Sequence, residues 1–241
     1  MSLSKIPFII ASAIGVHCTT MSPSKPPLSE EKVVLPTPFE SFVSWSLRLY
    51  GLELLRMTVW AASLTEVAGI LLARIDHSQI PAAIYDTQTM RLLSSLNPTP
   101  ITLTFLFGSL AVAIAGAVRH CCALTLGKFW SFELSVRREH RLVTSGPYSV
   151  VRHPSYAAYL LQYAGLVVMY WSQGSWLRES GILQIPFARV LAAICFFMFT
   201  AGVSTGVRRV PMEDRILHEA LGEEWENWAE RVKYRLIPGV Y

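Results

Sequence analysis

The chain is poor in charge: only 16% of its 241 residues are Asp, Glu, Lys or Arg, whereas 52% are hydrophobic. A soluble globular domain usually contains about a quarter charged residues. The mean hydropathy is correspondingly high, at +0.37. This composition argues against an ordinary soluble domain. It predicts an all-α, polytopic transmembrane helical bundle with about five spans.

Cysteine pairs and metal-ligand clusters are also missing. The four cysteines form no CxxC motif, so we interpret them as buried thiols in or near helices. The six histidines never occur at metal-ligand spacing, and we predict no metal site. The sequence contains no GxGxxG, GxxxxGK[ST], GxSxG or HExxH motif. These absences argue against the nucleotide-binding and hydrolytic sites that such motifs mark.

Long apolar runs are present instead, and about 20 helical residues are needed to cross a bilayer core. Runs of suitable length predict spans at residues 101–118, 156–176 and 185–207. The run 42–73 is longer and carries four charged residues, so we expect an amphipathic start before it crosses. The run 6–18 is short. A signal peptide is possible there, but no small-x-small cleavage site follows, which favours a retained first helix.

Basic residues indicate the orientation. The loop 119–152 and the tail from residue 208 are both rich in arginine and lysine. Two predicted spans separate these regions, so they lie on one side, which the positive-inside rule places in the cytosol. We expect the tail 211–232 to be an amphipathic segment, with Pro211 at a first helical position and Gly222 as a break. It would lie on the membrane surface or pack over the bundle.

The segment 140–156, HRLVTSGPYSVVRHPSY, is the best candidate for a functional site. It places cationic and aromatic side chains around a Gly-Pro turn, between two strongly apolar segments. Polar and cationic groups at the mouth of a membrane bundle are energetically costly, so they indicate function. We therefore divide the chain into N-terminal helices and loops (1–120) and a catalytic half (121–241).

Two apolar spans follow this segment, and then come RxxxED from residue 209 and GEEW from residue 222. In this order, the features resemble the isoprenylcysteine carboxyl methyltransferase family. The resemblance covers residues 128–241, and the N-terminal half matches only in hydropathy. It implies transfer of a methyl group from S-adenosylmethionine to the C-terminal carboxylate of a prenylated cysteine. The implied partners are CaaX-processed proteins, such as small GTPases and mating-factor-like peptides, and membrane lipid, with no nucleic acid. The implied location is the endoplasmic reticulum membrane, with the active site facing the cytosol.

Carried over by position, the resemblance also implies site residues. Arg209 would orient the substrate carboxylate with its guanidinium fork, and Glu213 would hold Arg209 in place. Glu133 stands where family members have glutamine, and its carboxylate could pair with the cofactor's ammonium group. Backbone amides of the turn 145–147 could bind the methionyl carboxylate. The implied cofactor site consists of Glu133, His140, Arg141, Leu142, Val143, Tyr148, His153, Pro154, Ser155 and Tyr156.

Other functions remain open from the residues alone. A membrane sterol reductase using NADPH can have a tail like the ending at residues 234–238, although such enzymes usually have more spans. A phospholipid N-methyltransferase would need a base to deprotonate its substrate. A non-enzymatic scaffold or transporter subunit would bind no S-adenosylmethionine. Simpler roles also exist for single residues: Pro154 could merely start a helix, and Arg209 could be a snorkelling anchor.

Overall fold

The computed structural model describes residues 3–22, 24–25, 27–28, 38–75, 99–135 and 140–240. Part of the predicted basic loop, residues 136–139, lies outside the described residues. The helices in the described part are α1 (Ile6–Thr20), α2 (Pro38–Ser46), α3 (Leu52–Leu72), α4 (Leu103–Leu126), α5 (Pro154–Trp171), α6 (Trp176–Glu179), α7 (Pro186–Leu221) and α8 (Glu223–Arg231). A π-helical turn, Leu47–Gly51, joins α2 to α3, and 3-10 turns lie at Leu3–Lys5, Gly127–Phe129, Gly146–Ser149 and Ile182–Gln184.

Long apolar helices dominate the structure. Within the described residues, four stretches are long and apolar enough to cross a membrane: Leu3–Thr20, Ser41–Leu72, Leu103–Phe129 and Pro186–Leu221. The prediction of an all-α polytopic membrane bundle is therefore confirmed. The remaining predicted span corresponds to α5, which is 18 residues long. It is less apolar because it contains Gln162 and several tyrosines, and Gln162 is fully buried within the bundle.

Glycines allow α1, α4 and α5 to pack closely. A Cβ added to Gly116 of α4 would lie 2.5 Å from the carbonyl oxygen of Gly15 in α1. A Cβ on Gly108 would lie 2.8 Å from the backbone nitrogen of Met169 in α5. Close backbone approach at small residues is how helices associate in lipid, where dispersion replaces the hydrophobic effect. The small residues of α4 therefore form its interfaces with both neighbours.

Helix α4 is longer than the predicted span. It begins after Thr102, whose side-chain oxygen accepts a hydrogen bond from the Phe105 backbone N–H at 3.1 Å. It continues past residue 118 to Leu126, where Gly127 ends it with a φ of +52°. The prediction stopped at Arg119 because a charged residue lowers the local hydropathy. Arg119 is instead buried inside the bundle, and the helix continues through it.

A buried ion pair connects the other ends of α1, α3 and α4. The Lys5 ammonium lies 2.5 Å from a Glu66 carboxylate oxygen and donates to the Thr99 hydroxyl at 2.7 Å. Lys5 also lies 4.5 Å from the centre of the Phe105 ring. Both charged side chains are almost completely buried. Helix α1, which the sequence predicts as a first helix, thus packs as an integral part of the bundle.

Helix α7 contradicts the prediction that Pro211 starts a new helix. The helix runs without a break from Pro186 to Leu221, and Pro211 lies inside it. Proline usually breaks a helix because it removes a hydrogen bond. Here Val210 and Asp214, on either side of Pro211, are both buried. Their packing against the rest of the bundle keeps the helix continuous through the proline. The predicted break at Gly222 is confirmed: its φ of +52° ends α7 before α8 begins.

Helix α8 packs over the bundle at the end where α4 finishes. Trp228 is buried in a cluster with Cys122, Ala123, Trp130 and Tyr148. Glu223, Glu224 and Glu226 lie in the first turn of α8, where the helix dipole favours negative charge. The expectation of buried thiols holds for Cys122 but not for Cys121, which is exposed because it points away from this cluster. Cys18 and Cys195 are partly buried.

Candidate active site

A cavity of about 210 Å³ lies at the end of the bundle where α4 finishes and α5 begins. Residues from every described helix except α6 line it, together with Leu47 of the π-helical turn, residues 129–135 and 140–143, Tyr148, Arg152 and His153. Pro154 is the one predicted site residue outside the lining, and it starts α5 instead. The predicted residues that line the cavity are Glu133, His140, Arg141, Leu142, Val143, Tyr148, His153, Ser155, Tyr156, Arg209 and Glu213.

Asp214 fixes the position of the Arg152-His153 pair. Its carboxylate lies 2.8 Å from the His153 Nε2 and accepts hydrogen bonds from Arg152 Nη1 at 3.1 Å and from Arg235 Nε at 2.9 Å. The backbone N–H groups of Arg152 and His153 donate to the carbonyls of Tyr234 and Arg235, at 2.9 and 2.8 Å. The start of α5 is therefore held between α7 and the C-terminal residues.

Glu213, the neighbour of Asp214, faces the cavity. Its Oε2 lies 3.7 Å from the His153 Nδ1, and it hydrogen-bonds the Tyr156 hydroxyl. Tyr156 itself packs against Gly206, where an added Cβ would approach its ring to 3.2 Å. Glu213 thus contacts the same two side chains that the resemblance assigns to the cofactor.

Arg209 lies one turn before Glu213 on α7 and reaches two other parts of the chain. Its Nη2 donates to the Ser44 hydroxyl of α2 at 2.7 Å, and its Nη1 donates to the Phe132 carbonyl at 3.3 Å. The Tyr156 hydroxyl interacts electrostatically with both Arg209 and Glu213. The guanidinium is thus positioned on the cavity wall, where it can orient an anionic group.

The Gly-Pro turn places Tyr148 against α4 and α8. Gly146 has a φ of +59°, a conformation that glycine adopts without strain. Trp228 Nε1 donates to the Tyr148 carbonyl at 3.3 Å. Burial raises the pKa of the Tyr148 hydroxyl, with smaller contributions from Cys122 and Glu213, so it remains a neutral donor. Pro147 has no N–H, and the Tyr148 N–H that follows it donates to the Ser145 carbonyl at 3.2 Å, which leaves the N–H groups of Ser145 and Gly146 as the amides that the turn can offer.

Residues 129–135 and 140–143 line another side of the cavity. The His140 ring lies 5.0 Å from the Phe129 ring. Leu142 and Val143 pack against the cluster around Trp130, whereas Arg141 is exposed. Flat aromatic faces and aliphatic side chains therefore line this part of the cavity.

Arg119 is a cavity residue that sequence reasoning missed, because it was placed in a loop. It lies on α4 and is only 6% exposed. Its Nη1 donates to both the carbonyl and the hydroxyl of Ser155, each at 3.1 Å. Its guanidinium lies 5.2 Å from the Trp130 ring and 5.0 Å from the Tyr159 ring. The signal that could have found it is a single arginine near the end of an otherwise apolar helix.

Asp214 and Arg235 were also missed as site-organising residues. Asp214 was interpreted only as part of the RxxxED motif and as a first-turn carboxylate, since the prediction started a helix at Pro211. In the continuous α7 it lies on the buried face, one residue after Glu213. Arg235 belongs to the ending at 234–238, whose only sequence signal was its similarity to other membrane enzymes.

Comparisons with known proteins agree with this arrangement. Residues 107–175, which include α4, the Gly-Pro turn and α5, match the isoprenylcysteine carboxyl methyltransferase (ICMT) family. The resemblance to this family is confirmed. The matched segment contains Arg119 and the 140–156 segment, whereas Arg209 and Glu213 follow it on α7.

Curated relatives carry the corresponding name. Over 128 residues, the chain is 28% identical to protein-S-isoprenylcysteine O-methyltransferase B of Arabidopsis thaliana, covering 52% of this chain and 55% of that protein. It is 26% identical over 127 residues to a probable protein-S-isoprenylcysteine O-methyltransferase of Oryza sativa subsp. indica, covering 52% and 56%. The chain thus spans about half the length of these relatives. These names and the matched family favour the carboxyl methyltransferase over the sterol reductase and the phospholipid N-methyltransferase.

A bacterial relative has a different name. The chain is 36% identical over 97 residues to the cobalt-zinc-cadmium resistance protein CzcN of Cupriavidus metallidurans, covering 40% of this chain and 38% of that protein. Among the residues that the structure describes, no group of three or more His, Cys, Asp and Glu side chains is placed to hold a metal ion.

Proposed function

We propose that this chain is a membrane methyltransferase that uses S-adenosylmethionine to esterify the C-terminal carboxylate of a prenylated cysteine. The observation that carries the proposal is one cavity lined both by residues of the 140–156 segment and by Arg209 and Glu213 of the RxxxED motif. The acceptors would be CaaX-processed proteins, such as small GTPases and mating-factor-like peptides. The enzyme would reside in the endoplasmic reticulum membrane. The site would face the cytosol, because the basic loop and tail border it.

The lining of the cavity fits the methyl donor. S-Adenosylmethionine carries a flat adenine, a sulfonium cation and an amino-acid group with both charges. The cavity supplies aromatic faces from Phe129, Trp130 and Tyr148, and it supplies carboxylates from Glu133 and Glu213. Aromatic faces and carboxylates both attract cations. The residues present therefore offer aromatic faces to the adenine and the sulfonium, and carboxylates to the donor's two cationic groups.

The chemistry requires positioning rather than acid–base catalysis. S-Adenosylmethionine supplies an electrophilic methyl group: a C–O bond forms to the acceptor as the C–S bond breaks, and the sulfur keeps the bonding electrons. The acceptor carboxylate is already ionised at neutral pH, so no protein group needs to remove a proton. Arg209 would orient the carboxylate with its fork and not quench its charge. Accurate alignment of the reacting atoms alone can accelerate a reaction by several orders of magnitude.

Exclusion of water would add to the rate. The opposite charges of sulfonium and carboxylate cancel as the reaction proceeds, so water stabilises the reactants more than the transition state. In the structure, α8 and residues 129–135 and 140–143 cover the cavity at this end of the bundle. Trp228, which is 3% exposed, fixes α8 in that position through its hydrogen bond to Tyr148. These elements would keep bulk water away from the reacting groups.

The prenyl chain would enter between the membrane helices. A small apolar pocket between α3, α5 and α7 is lined by side chains such as Leu55, Met198 and Phe199. It shares Leu47 and Tyr159 with the main cavity. This pocket, at about 10 Å³, is too small to enclose a prenyl chain. We expect the chain attached to the cysteine sulfur to follow these apolar side chains towards the lipid while the carboxylate points to Arg209. The site thus combines a polar end for the carboxylate with an apolar side for the lipid.

The decisive experiment is methyl transfer from labelled S-adenosylmethionine to N-acetyl-S-farnesylcysteine by membranes that contain the protein. The expected product is a base-labile methyl ester that releases labelled methanol. N-acetylcysteine without the prenyl group is the control and should remain unlabelled. The proposal would be wrong if the farnesylated acceptor gained no label, or if both acceptors were labelled equally.

A further inference from the structure

We infer that Arg119 binds the carboxylate of the methyl donor in the cavity. This inference rests on the proposed function for the identity of the ligand, but the need for an anion follows from the structure itself. Arg119 lines the cavity, although it is only 6% exposed. A buried arginine inside a membrane bundle is costly unless something compensates its charge.

The protein compensates this charge only in part. Within the described residues, Arg119 forms no ion pair with a carboxylate. The titratable groups that act on its guanidinium are Tyr148, Tyr156, Tyr159 and Cys122, which are all neutral at physiological pH. The faces of Trp130 and Tyr159 provide cation–π contacts, which are weaker than a paired carboxylate. In the described part of the chain, hydrogen bonds and aromatic faces thus hold the positive charge in place without a carboxylate paired to it.

The hydrogen bonds leave one edge of the guanidinium available. Nη1 is fixed by the carbonyl and hydroxyl of Ser155. The buried Nε–H has no hydrogen-bond partner among the described residues. Nε and Nη2 together form the side-on edge that binds both oxygens of a carboxylate. Ser155 therefore acts as a positioning residue that fixes one edge and leaves the other for a ligand.

The reaction brings two carboxylates into the cavity, and the fold supplies two arginines for them. Arg209 lies on α7 and contacts α2 and the 129–135 segment. Arg119 lies on α4 and contacts the start of α5, directly beside His153 and Tyr156. Because Arg119 shares its wall with the 140–156 segment, it is assigned to the donor, and Arg209 is assigned to the acceptor. The turn 145–147 can offer only the neutral N–H groups of Ser145 and Gly146, whereas Arg119 supplies a positive charge, so Arg119 is the stronger candidate for the donor carboxylate.

The test compares S-adenosylmethionine with its decarboxylated analogue, which keeps the sulfonium and adenine but lacks the carboxylate. Their dissociation constants would be measured by calorimetry on the purified full-length chain in lipid nanodiscs, for the wild type, Arg119→Met and Arg119→Lys. Arg189→Met, an exposed arginine at the start of α7 away from the cavity, is the matched control. A hydrogen bond to a charged group contributes about 1.5–3 kcal/mol, which corresponds to roughly tenfold to a hundredfold in affinity.

We expect Arg119→Met to weaken binding of S-adenosylmethionine by about tenfold to a hundredfold and to leave binding of the decarboxylated analogue unchanged. Unchanged binding of the analogue would also demonstrate that the variant is folded. Arg119→Lys should retain part of the discrimination, because it keeps the charge but not the fork. Arg189→Met should bind both ligands like the wild type.

Three results would overturn the inference while leaving the proposed function intact. In the first, Arg119→Met still binds S-adenosylmethionine more tightly than the decarboxylated analogue, by the same ratio as the wild type. In the second, it loses affinity for both compounds equally. Either result would mean that Arg119 is purely structural. Arg119→Met could instead abolish the preference for N-acetyl-S-farnesylcysteine over its amide, which would assign Arg119 to the acceptor. Failure of the wild type to bind S-adenosylmethionine at all would refute the proposed function and, with it, the inference.

Discussion

Asp214 connects three parts of the molecule that are distant in sequence, so its replacement should have a large and calculable effect. Its side chain is 6% exposed, and that of its partner Arg152 is 11% exposed. Removing one partner of a buried ion pair costs about 3–5 kcal/mol, because the other charge is left uncompensated. The Arg235 side chain is 34% exposed, so that pair contributes no more than about 1 kcal/mol.

We therefore expect Asp214→Ala to lower the free energy of unfolding by about 3–5 kcal/mol. Asp214→Asn should have a smaller effect, because the amide oxygen can still accept one of the hydrogen bonds. The measurement is reversible chemical unfolding in detergent micelles, followed by tryptophan fluorescence. Glu219→Ala is the control, because Glu219 is exposed on the same helix and its loss should change stability by less than about 0.5 kcal/mol.

The affinity for S-adenosylmethionine should also fall when Asp214 is replaced. Asp214 does not line the cavity itself, but it holds Arg152 and His153, which do. Asp214→Asn should raise the dissociation constant for S-adenosylmethionine, since His153 would lose its fixed orientation. Arg235→Ala should do so less, because its contact is partly solvated. The reasoning is refuted if Asp214→Ala unfolds with a loss below about 1 kcal/mol and binds the donor like the wild type.

Three further predictions follow from particular contacts. Arg209→Ala should abolish turnover but leave the affinity for S-adenosylmethionine largely intact, whereas His153→Ala should weaken that affinity; equal loss in both variants would contradict this division. Gly116→Ala should destabilise the bundle by about 1–3 kcal/mol through overpacking against α1, measured by thermal unfolding, whereas Gly69→Ala, with open space around its Cβ position, should not. Lys5→Met should lower the free energy of unfolding by about 3–5 kcal/mol because Glu66 remains buried without its cation; adding Glu66→Gln should recover much of this loss, and no recovery would count against the pair.

The sequence predicts much of the candidate site because its residues are unusual for their surroundings. Histidines, arginines and a Gly-Pro turn between apolar runs are costly unless they gather around a polar cavity. The structure brings the 140–156 segment and the RxxxED side chains together at one end of the bundle. The order of these motifs and the apolar spans between them predict that the two groups meet. They do not predict which side chain each residue contacts.

The errors have a common physical origin in tertiary contacts. The hydropathy pattern ends the predicted span before Arg119, because a hydropathy scale treats every charge as exposed to water. The contacts of Arg119 with Ser155 and Trp130 are not part of such a scale. The helix propensity of proline predicts a helix boundary at Pro211, because propensity does not include the packing of Val210 and Asp214. In both places a long-range contact outweighed a local preference. In the first case the misplaced residue, Arg119, borders the cavity; in the second, the wrong helix start conceals the role of Asp214, which holds His153.

The division of the site between two parts of the chain explains how its two ligands can be recognised separately. Arg119, Ser155 and Tyr156 lie within the segment that matches the family, residues 107–175, and form one wall. Arg209 and Glu213 lie on α7 and form a second wall, which meets the matched segment where Glu213 Oε2 lies 3.7 Å from His153 Nδ1. The same helix also lines the apolar pocket shared with α3. If the first wall binds the donor, substitutions on α7 that face this pocket, such as Met198→Trp, should change the preference between farnesyl and geranylgeranyl acceptors. The dissociation constant for S-adenosylmethionine should remain at the wild-type value in the same variant. A parallel change in donor affinity would mean that the two walls act as one unit.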